Sequence, residues 1–272
     1  MSYSPYAPPQ HGNGQQSFDY GSTYVPLGWK TNAAAIGIIG MVVLQPIQSA
    51  LALVFAEQLR NPVAENVGAI LLNGLVSLLE LAVMVATYVF FLMWMHHAAK
   101  NLRAFNQPAL TITPGWAVGW WFIPFASLWM PFAAMREIFK ASDPNSVGPS
   151  AQHSWMTSPV PPTLGLWWAT YLLNSFLGAG AVLAAMDFSG RAAAMRGPNA
   201  LTWISHAVLA VAGILIVGIL RTIAKRQEQA WAIVSSSPPS TNVEPTHGAS
   251  SVAPMNPYAP ASSDNPYLNP RS

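Results

Sequence analysis

The chain has 272 residues, of which 52% are hydrophobic and only 8% are charged. A soluble domain carries about 25% charged residues, so an ordinary water-facing surface is excluded and lipid is the natural solvent for the rest. The formal net charge of +2 is spread beside apolar runs instead of forming the basic stripe of a nucleic-acid binder. With no cysteine, disulfides, thiolate metal sites, Fe–S clusters and sulfur-linked acyl anchors are excluded.

Residues 1–30 are rich in Pro, Gly, Gln, Ser and Tyr and show no apolar periodicity. No basic region leads into an apolar stretch, so a cleavable signal is not expected there. Residues 231–272 have the same character. Neither stretch can bury enough apolar surface to offset the cost of ordering, and both are expected to be disordered tails. They share a loose repeat: Ser4-Pro5-Tyr6-Ala7-Pro8, Asn256-Pro257-Tyr258-Ala259-Pro260 and Asn265-Pro266-Tyr267. Proline preorganises an extended chain and tyrosine supplies an anchor, so these segments are candidate contacts for protein partners.

Between the tails, residues 31–230 are expected to form an all-α, multi-pass transmembrane bundle. Four spans are placed at residues 32–56, 67–94, 164–186 and 200–220. Each meets the roughly 20 residues needed to cross a hydrocarbon core of about 30 Å. Inside that core every backbone polar group must pair internally, which favours helices.

The second span carries Glu80, a carboxylate that costs about 2.5–3.5 kcal/mol at membrane depth. Asn66, Asn73, Ser77, Glu80 and Thr87 share one narrow face at about 100° per residue. Counting along the spans at about 1.5 Å per residue places Glu80, Gln45 and Asn174 near the midplane, with Asn73, Gln48 and His206 nearer the outer face. Two readings stand side by side. One is a polar pathway or proton site in which Glu80 is protonated at rest. The other is a neutral hydrogen-bonded packing seam, which is the reading favoured. His96 and His97, adjacent on a helix, diverge by about 100° and suit a polar helix end better than a metal site.

Residues 114–140 are long enough to span, yet Pro124 and Pro131 each interrupt a helix. A course that dips and returns puts nine of the twelve Lys and Arg on the cytoplasmic side: Lys30, Lys100, Arg103, Arg136, Lys140, Arg221, Lys225, Arg226 and Arg271. Arg60, Arg191 and Arg196 remain outside, as the positive-inside rule requires. The basic residues could also form a ring for anionic headgroups, although setting orientation suffices to explain them. Tryptophan agrees: ten of eleven fall on the inner side, with Trp203 alone at the outer boundary. A half-helix from Trp116, a break near Pro124 and an amphipathic return to Arg136 and Lys140 is expected. It would act either as a gate or as an interfacial wedge. Gly178 and Gly180 are expected to permit close helix contact.

The stretch from Trp94 to Pro144 also carries a recognisable pattern. It holds Trp94, Lys100-Asn101-Leu102-Arg103-Ala104, and Pro114-Gly115-Trp116 followed by Trp120, Trp121 and Pro124. It ends with Leu128-Trp129-Met130-Pro131-Phe132, Met135-Arg136-Glu137-Ile138 and Ser142-Asp143-Pro144. This closely resembles a bacterial integral-membrane family, domain of unknown function 4328, and the Trp167-Trp168 pair also fits. Family members often carry Asn and a basic residue where this chain has Ser127 and Met130. The resemblance implies a bacterial membrane protein and brings no established activity with it.

No catalytic ordering, phosphate loop or cofactor motif is present. The expectation is a non-enzymatic anchor or interaction protein of the bacterial inner membrane. It would have both termini cytoplasmic and the lipid bilayer as its constant partner, with no nucleic acid. The alternative is a small-solute or proton-coupled permeation protein centred on Glu80.

Overall fold

The computed structural model describes residues 23–56, 58, 67–149, 151–185 and 200–236. The chain divides into Met1–Ser237 and Pro238–Ser272. The second unit lies outside the described residues, as do Arg60, Asn66, Arg191 and Arg196. Every regular element among the described residues is helical. The helices are α1 (Gly28–Val54), α2 (Val67–Ala104), α3 (Pro114–Gly119), α4 (Met130–Ala141), α5 (Pro162–Ala185) and α6 (Ala200–Ser236).

Three of them, α1, α2 and α6, are long and apolar enough to cross a membrane. The surface of α1 explains why lipid is needed: Ile36, Ile39, Val43 and Ile47 form an exposed stripe at helical spacing. In water such a stripe would be a liability; in hydrocarbon it is solvated. α5, the expected fourth span, is 24 residues long and is not in that set.

α1 packs against both α2 and α6, and α5 packs against α6. Glycine permits the close crossings. A Cβ on Gly37 would lie 2.4 Å from Thr87 Oγ1 and 3.2 Å from its Cα, and one on Gly213 would lie 2.9 Å from Val42. Gly178 and Gly180 do not play this part, because an added Cβ at either meets nothing within 4 Å. The helix-contact glycines sit on α1 and α6, where neighbours exist on the glycine face.

The well-buried core lies at one end of the bundle, where α1 starts, α2 and α6 finish, and α4 covers them. Trp94, Leu102, Met135, Ile138, Leu164, Leu220 and Ile223 are all below 2% exposed. This capped end corrects the expected boundaries. α2 runs ten residues past Trp94, because Ala98, Asn101, Leu102 and Ala104 are buried. α6 continues to Ser236, carrying Ile223, Gln227 and Ala230 inside. The N-terminal tail is likewise shorter than expected: Tyr24 and Leu27 are buried and α1 begins at Gly28. In each case tertiary packing extends a helix beyond the length that hydrocarbon alone requires.

Residues 114–141 fold back on themselves. Thr113 caps α3, accepting from the Trp116 N–H at 3.3 Å, with Pro114 in the first turn. The reversal is a γ-turn at Pro124–Phe125–Ala126, in which the Ala126 N–H donates to Pro124 O at 2.8 Å. Phe125 there has φ 63° and ψ −51°, a strained conformation for a residue with a side chain. Pro131 breaks no helix. It sits in the first turn of α4, where its missing N–H would have had no partner. The two legs meet where the Glu137 carboxylate accepts from the Thr111 and Ile112 N–H groups, each at 3.0 Å.

Candidate functional site

The polar side chains expected inside the bundle form a belt, not a single centre. Gln48 on α1 donates to Asn73 Oδ1 at 3.1 Å and to Ser77 Oγ at 2.8 Å on α2. Its neighbour Ser49 pairs with His206 Nε2 on α6 at 2.8 Å. Ser205 donates to Asn174 Oδ1 on α5 at 3.1 Å. All four long helices are thereby tied at neighbouring levels. Asn174 thus meets Ser205, the chain neighbour of His206. Glu80 and Gln45 are half-buried, and neither hydrogen-bonds a described residue.

Toward the capped end the helices leave an open cleft of about 110 Å³. Thr87, Tyr88 and Phe91 of α2, Trp167 and Tyr171 of α5, and Trp121 line it, together with apolar residues of α1 and α6. Trp121, from the hairpin, fills the gap between α2 and α5. Its ring meets Phe91 at 5.4 Å, Tyr171 at 5.7 Å and Trp168 at 6.0 Å, while its Nε1 reaches Met95 Sδ at 3.3 Å. Trp168 fixes the other leg, donating to Leu128 O at 3.1 Å. The hairpin tip faces outward, with Phe122, Phe125 and Trp129 exposed.

The densest polar chemistry lies in the capped end. Asn101, fully buried, uses its carboxamide three times: Oδ1 accepts from Val25 N at 2.9 Å, and Nδ2 donates to Val25 O at 2.9 Å and Gln227 Oε1 at 2.8 Å. Gln227 Nε2 continues to Ala98 O at 2.9 Å and Ser142 Oγ at 3.0 Å. One chain of amides thus joins the N-terminal segment, α2, α4 and α6. Trp94 donates to Thr31 Oγ1 at 2.9 Å, pinning α1 to α2. Gln107 closes the α2–α3 connection onto Ala141 O and Ser146. The Glu137 carboxylate also accepts from the Thr111 hydroxyl.

Tyr24 and Asp143, both at this end, are displaced from their ordinary values. Burial pushes the Tyr24 phenol up to about 12, aided by the Glu228 charge. Burial works to raise the Asp143 carboxyl as well. The Asn145 N–H, Ser158, His153 and the Arg226 charge outweigh it, leaving Asp143 below the ordinary aspartate value. His153 Nε2 stands 3.2 Å from Asp143. Arg226 lies over the Phe139 ring at 4.2 Å and donates to Phe139 O.

The remaining motif residues are placed as follows. Pro114 is buried at the start of α3, and Gly115 is exposed beside it. Trp116 stacks on Trp120 at 4.5 Å. Pro124 forms the exposed turn, Pro131 is buried, and Arg136 is exposed. His96 and His97 each pair one ring nitrogen with a backbone carbonyl, Pro114 O and Met93 O. They do not converge on a shared point.

Residues 61–225, more than half of the chain, match the family described as Domain of unknown function (DUF4328). The chain belongs to this family. Comparison with curated proteins and with solved structures yields no match. The matched stretch begins before α2 and ends inside α6, so it contains the hairpin and most of the polar network of the capped end. Tyr24, Gln227 and Trp231 fall outside it. Sequence reasoning missed Gln227, Gln107 and Glu137 as network members, and Tyr24 as an aromatic contact of the capped end. Gln227 had a visible signal, since Leu220, Ile223, Ala224, Gln227 and Ala230 share one face of α6 beyond the hydrophobic run.

Proposed function

We propose that this chain is a four-span protein of the bacterial inner membrane that works by interaction. In this reading its helical bundle anchors two cytoplasmic tails around a basic collar. α5 is the fourth span, and the hairpin of residues 114–141 is an interfacial wedge with Phe122, Phe125 and Trp129 in the inner leaflet. One observation carries the interaction reading. Tyr24 stacks on Trp231, ring centroids 5.2 Å apart and 14° from parallel, so both tails attach at one point of the capped end. Lys30, Lys100, Arg103, Arg136, Lys140, Arg221, Lys225 and Arg226 belong to helix segments at that end, and such placement matches a cytoplasmic face.

The polar belt supports a packing role for the spans, because its members pair across helices, although Gln48 Oε1 and His206 Nδ1 stay buried without a partner, and the cleft beside it is apolar. Permeation rests on Glu80, a carboxyl that bonds no described residue. Reconstituted vesicles separate the two readings. The wild-type chain and Glu80→Leu should leak protons and small solutes no faster than protein-free vesicles. Removing residues 1–22 and 237–272 should dissolve the chain's cross-linked complexes in membranes. A flux that disappears in Glu80→Leu, with complexes indifferent to the tails, would replace interaction by permeation.

A further inference from the structure

The segment that precedes α1 is held as a bound peptide would be. Asn101 takes both backbone polar groups of Val25, N–H and C=O, each at 2.9 Å. A neighbouring strand would offer the same pair of contacts, so this grip reads backbone and accepts any residue except proline at that position. The residue before it is read by shape. The Tyr24 ring stacks on Trp231 at 5.2 Å and leans on Phe105 at 6.0 Å. The residue after it, Pro26, gives its carbonyl to Lys30 Nζ at 3.4 Å. The slot therefore selects an aromatic residue, then a free peptide unit, and Tyr24-Val25-Pro26 meets those demands.

The same pattern recurs in the chain. Tyr3-Ser4-Pro5, Tyr6-Ala7-Pro8 and Tyr258-Ala259-Pro260 each place proline two residues after tyrosine with a non-proline between. With eight tyrosines and 24 prolines in 272 residues, fewer than one such triplet is expected from composition; there are four. Tyr3 and Tyr6 precede α1 with no apolar run between them and Tyr24, so they reach the same membrane face as the slot whatever the topology.

The resident triplet fits imperfectly. The Tyr24 hydroxyl is buried and has no hydrogen-bond partner, a cost that any tyrosine in the slot carries, so the resident has no advantage of contact over Tyr3, Tyr6 or Tyr258. α1 does not depend on it, because Trp94 secures Thr31 independently.

We propose that the slot of Asn101, Phe105 and Trp231 is a recognition site for Tyr-x-Pro segments, and that a Tyr-Ala-Pro segment of a second copy of this chain displaces Tyr24-Val25-Pro26 from it. Copies are then joined within the membrane by their tails. This deepens the interaction reading above and rests on it.

The test uses the full-length chain in nanodiscs and a fluorescent peptide spanning Ser2–Gln10, with binding read by anisotropy. Tyr24→Ala vacates the slot and should bind the peptide at least about tenfold tighter than wild type. Tyr24→Phe removes the unpaired hydroxyl, strengthens the resident and should bind it more weakly than wild type. Adding Trp231→Ala to Tyr24→Ala should abolish binding, and a peptide with Tyr3 and Tyr6 replaced by Ala should not bind. Equal affinity for Tyr24→Ala and Tyr24→Phe, or equal binding of the tyrosine-free peptide, overturns the slot. If the peptide fails while tail removal still dissolves the complexes, the slot falls and the interaction reading stands. If tail removal also leaves them intact, both fall.

Discussion

Asn101 shows how much one side chain decides in this fold. It is fully buried and satisfies two backbone groups of Val25 and the oxygen of Gln227. Asn101→Ala leaves these groups without a partner, at about 1–3 kcal/mol for each that water cannot reach. A total loss of about 2–4 kcal/mol is expected, read as a lower thermal midpoint by tryptophan fluorescence in detergent. Asn101→Asp should do no better, because a carboxylate has no donor for Gln227 Oε1. An unchanged midpoint in either variant would show that the network is incidental.

Asp143 makes the matching case for charge. Its folded value lies below the ordinary one, so its contribution is in place above about pH 4 and is lost as pH falls through the folded value. Asp143→Asn should remove that part of the acid dependence. Identical acid-unfolding limbs for the variant and wild type would assign the effect to other carboxylates. Neither residue stood out in the sequence by type. Asn101 was visible only within the family pattern, and Asp143 only as part of Ser142-Asp143-Pro144.

At the scale of elements, glycine placement and proline placement carry the packing. α1 approaches α2 at Gly37, where an added Cβ collides with Thr87 side chain and backbone. Gly37→Leu should therefore separate the two helices and destabilise the bundle by about 2 kcal/mol or more, as overpacking does. Gly178→Leu, pointing into open space, should be neutral in the same thermal assay. Equal sensitivity at both positions would contradict the crossing described.

The sequence marked Gly178 and Gly180 as contact residues because smallness is local information. Which face meets a neighbour is not. Proline was read with mixed success for the same reason. Pro124 does mark the reversal, whereas Pro131 starts a helix, and the two cannot be told apart until the chain direction on either side is known.

At the scale of the whole molecule, helices α1, α2, α5 and α6 alternate in direction, so both tails attach at the capped end. Single cysteines on this thiol-free background test the four-span reading. Probes at Ser150, Ser189 and Ser262 should give labelling from outside the intact cell at Ser189 alone. Outside labelling at Ser150 or Ser262 would require a different number of crossings. The expected excess of Lys and Arg on one side depends on the same count.

What the sequence determined by itself was the solvent and the element type. A chain with 8% charge and several apolar runs must sit in lipid and must be helical there, because that follows from sums over composition and from backbone hydrogen bonding in hydrocarbon. What only the tertiary structure decided was partnership: that Gln227 meets Asn101, that Glu80 stands beside the polar belt without joining it, and that the N-terminal segment lies in an aromatic slot. Hydrogen bonds and ring contacts between residues as far apart as Tyr24 and Trp231 depend on which helix faces pack. That choice is made by many weak contacts at once, and no short stretch of sequence records it.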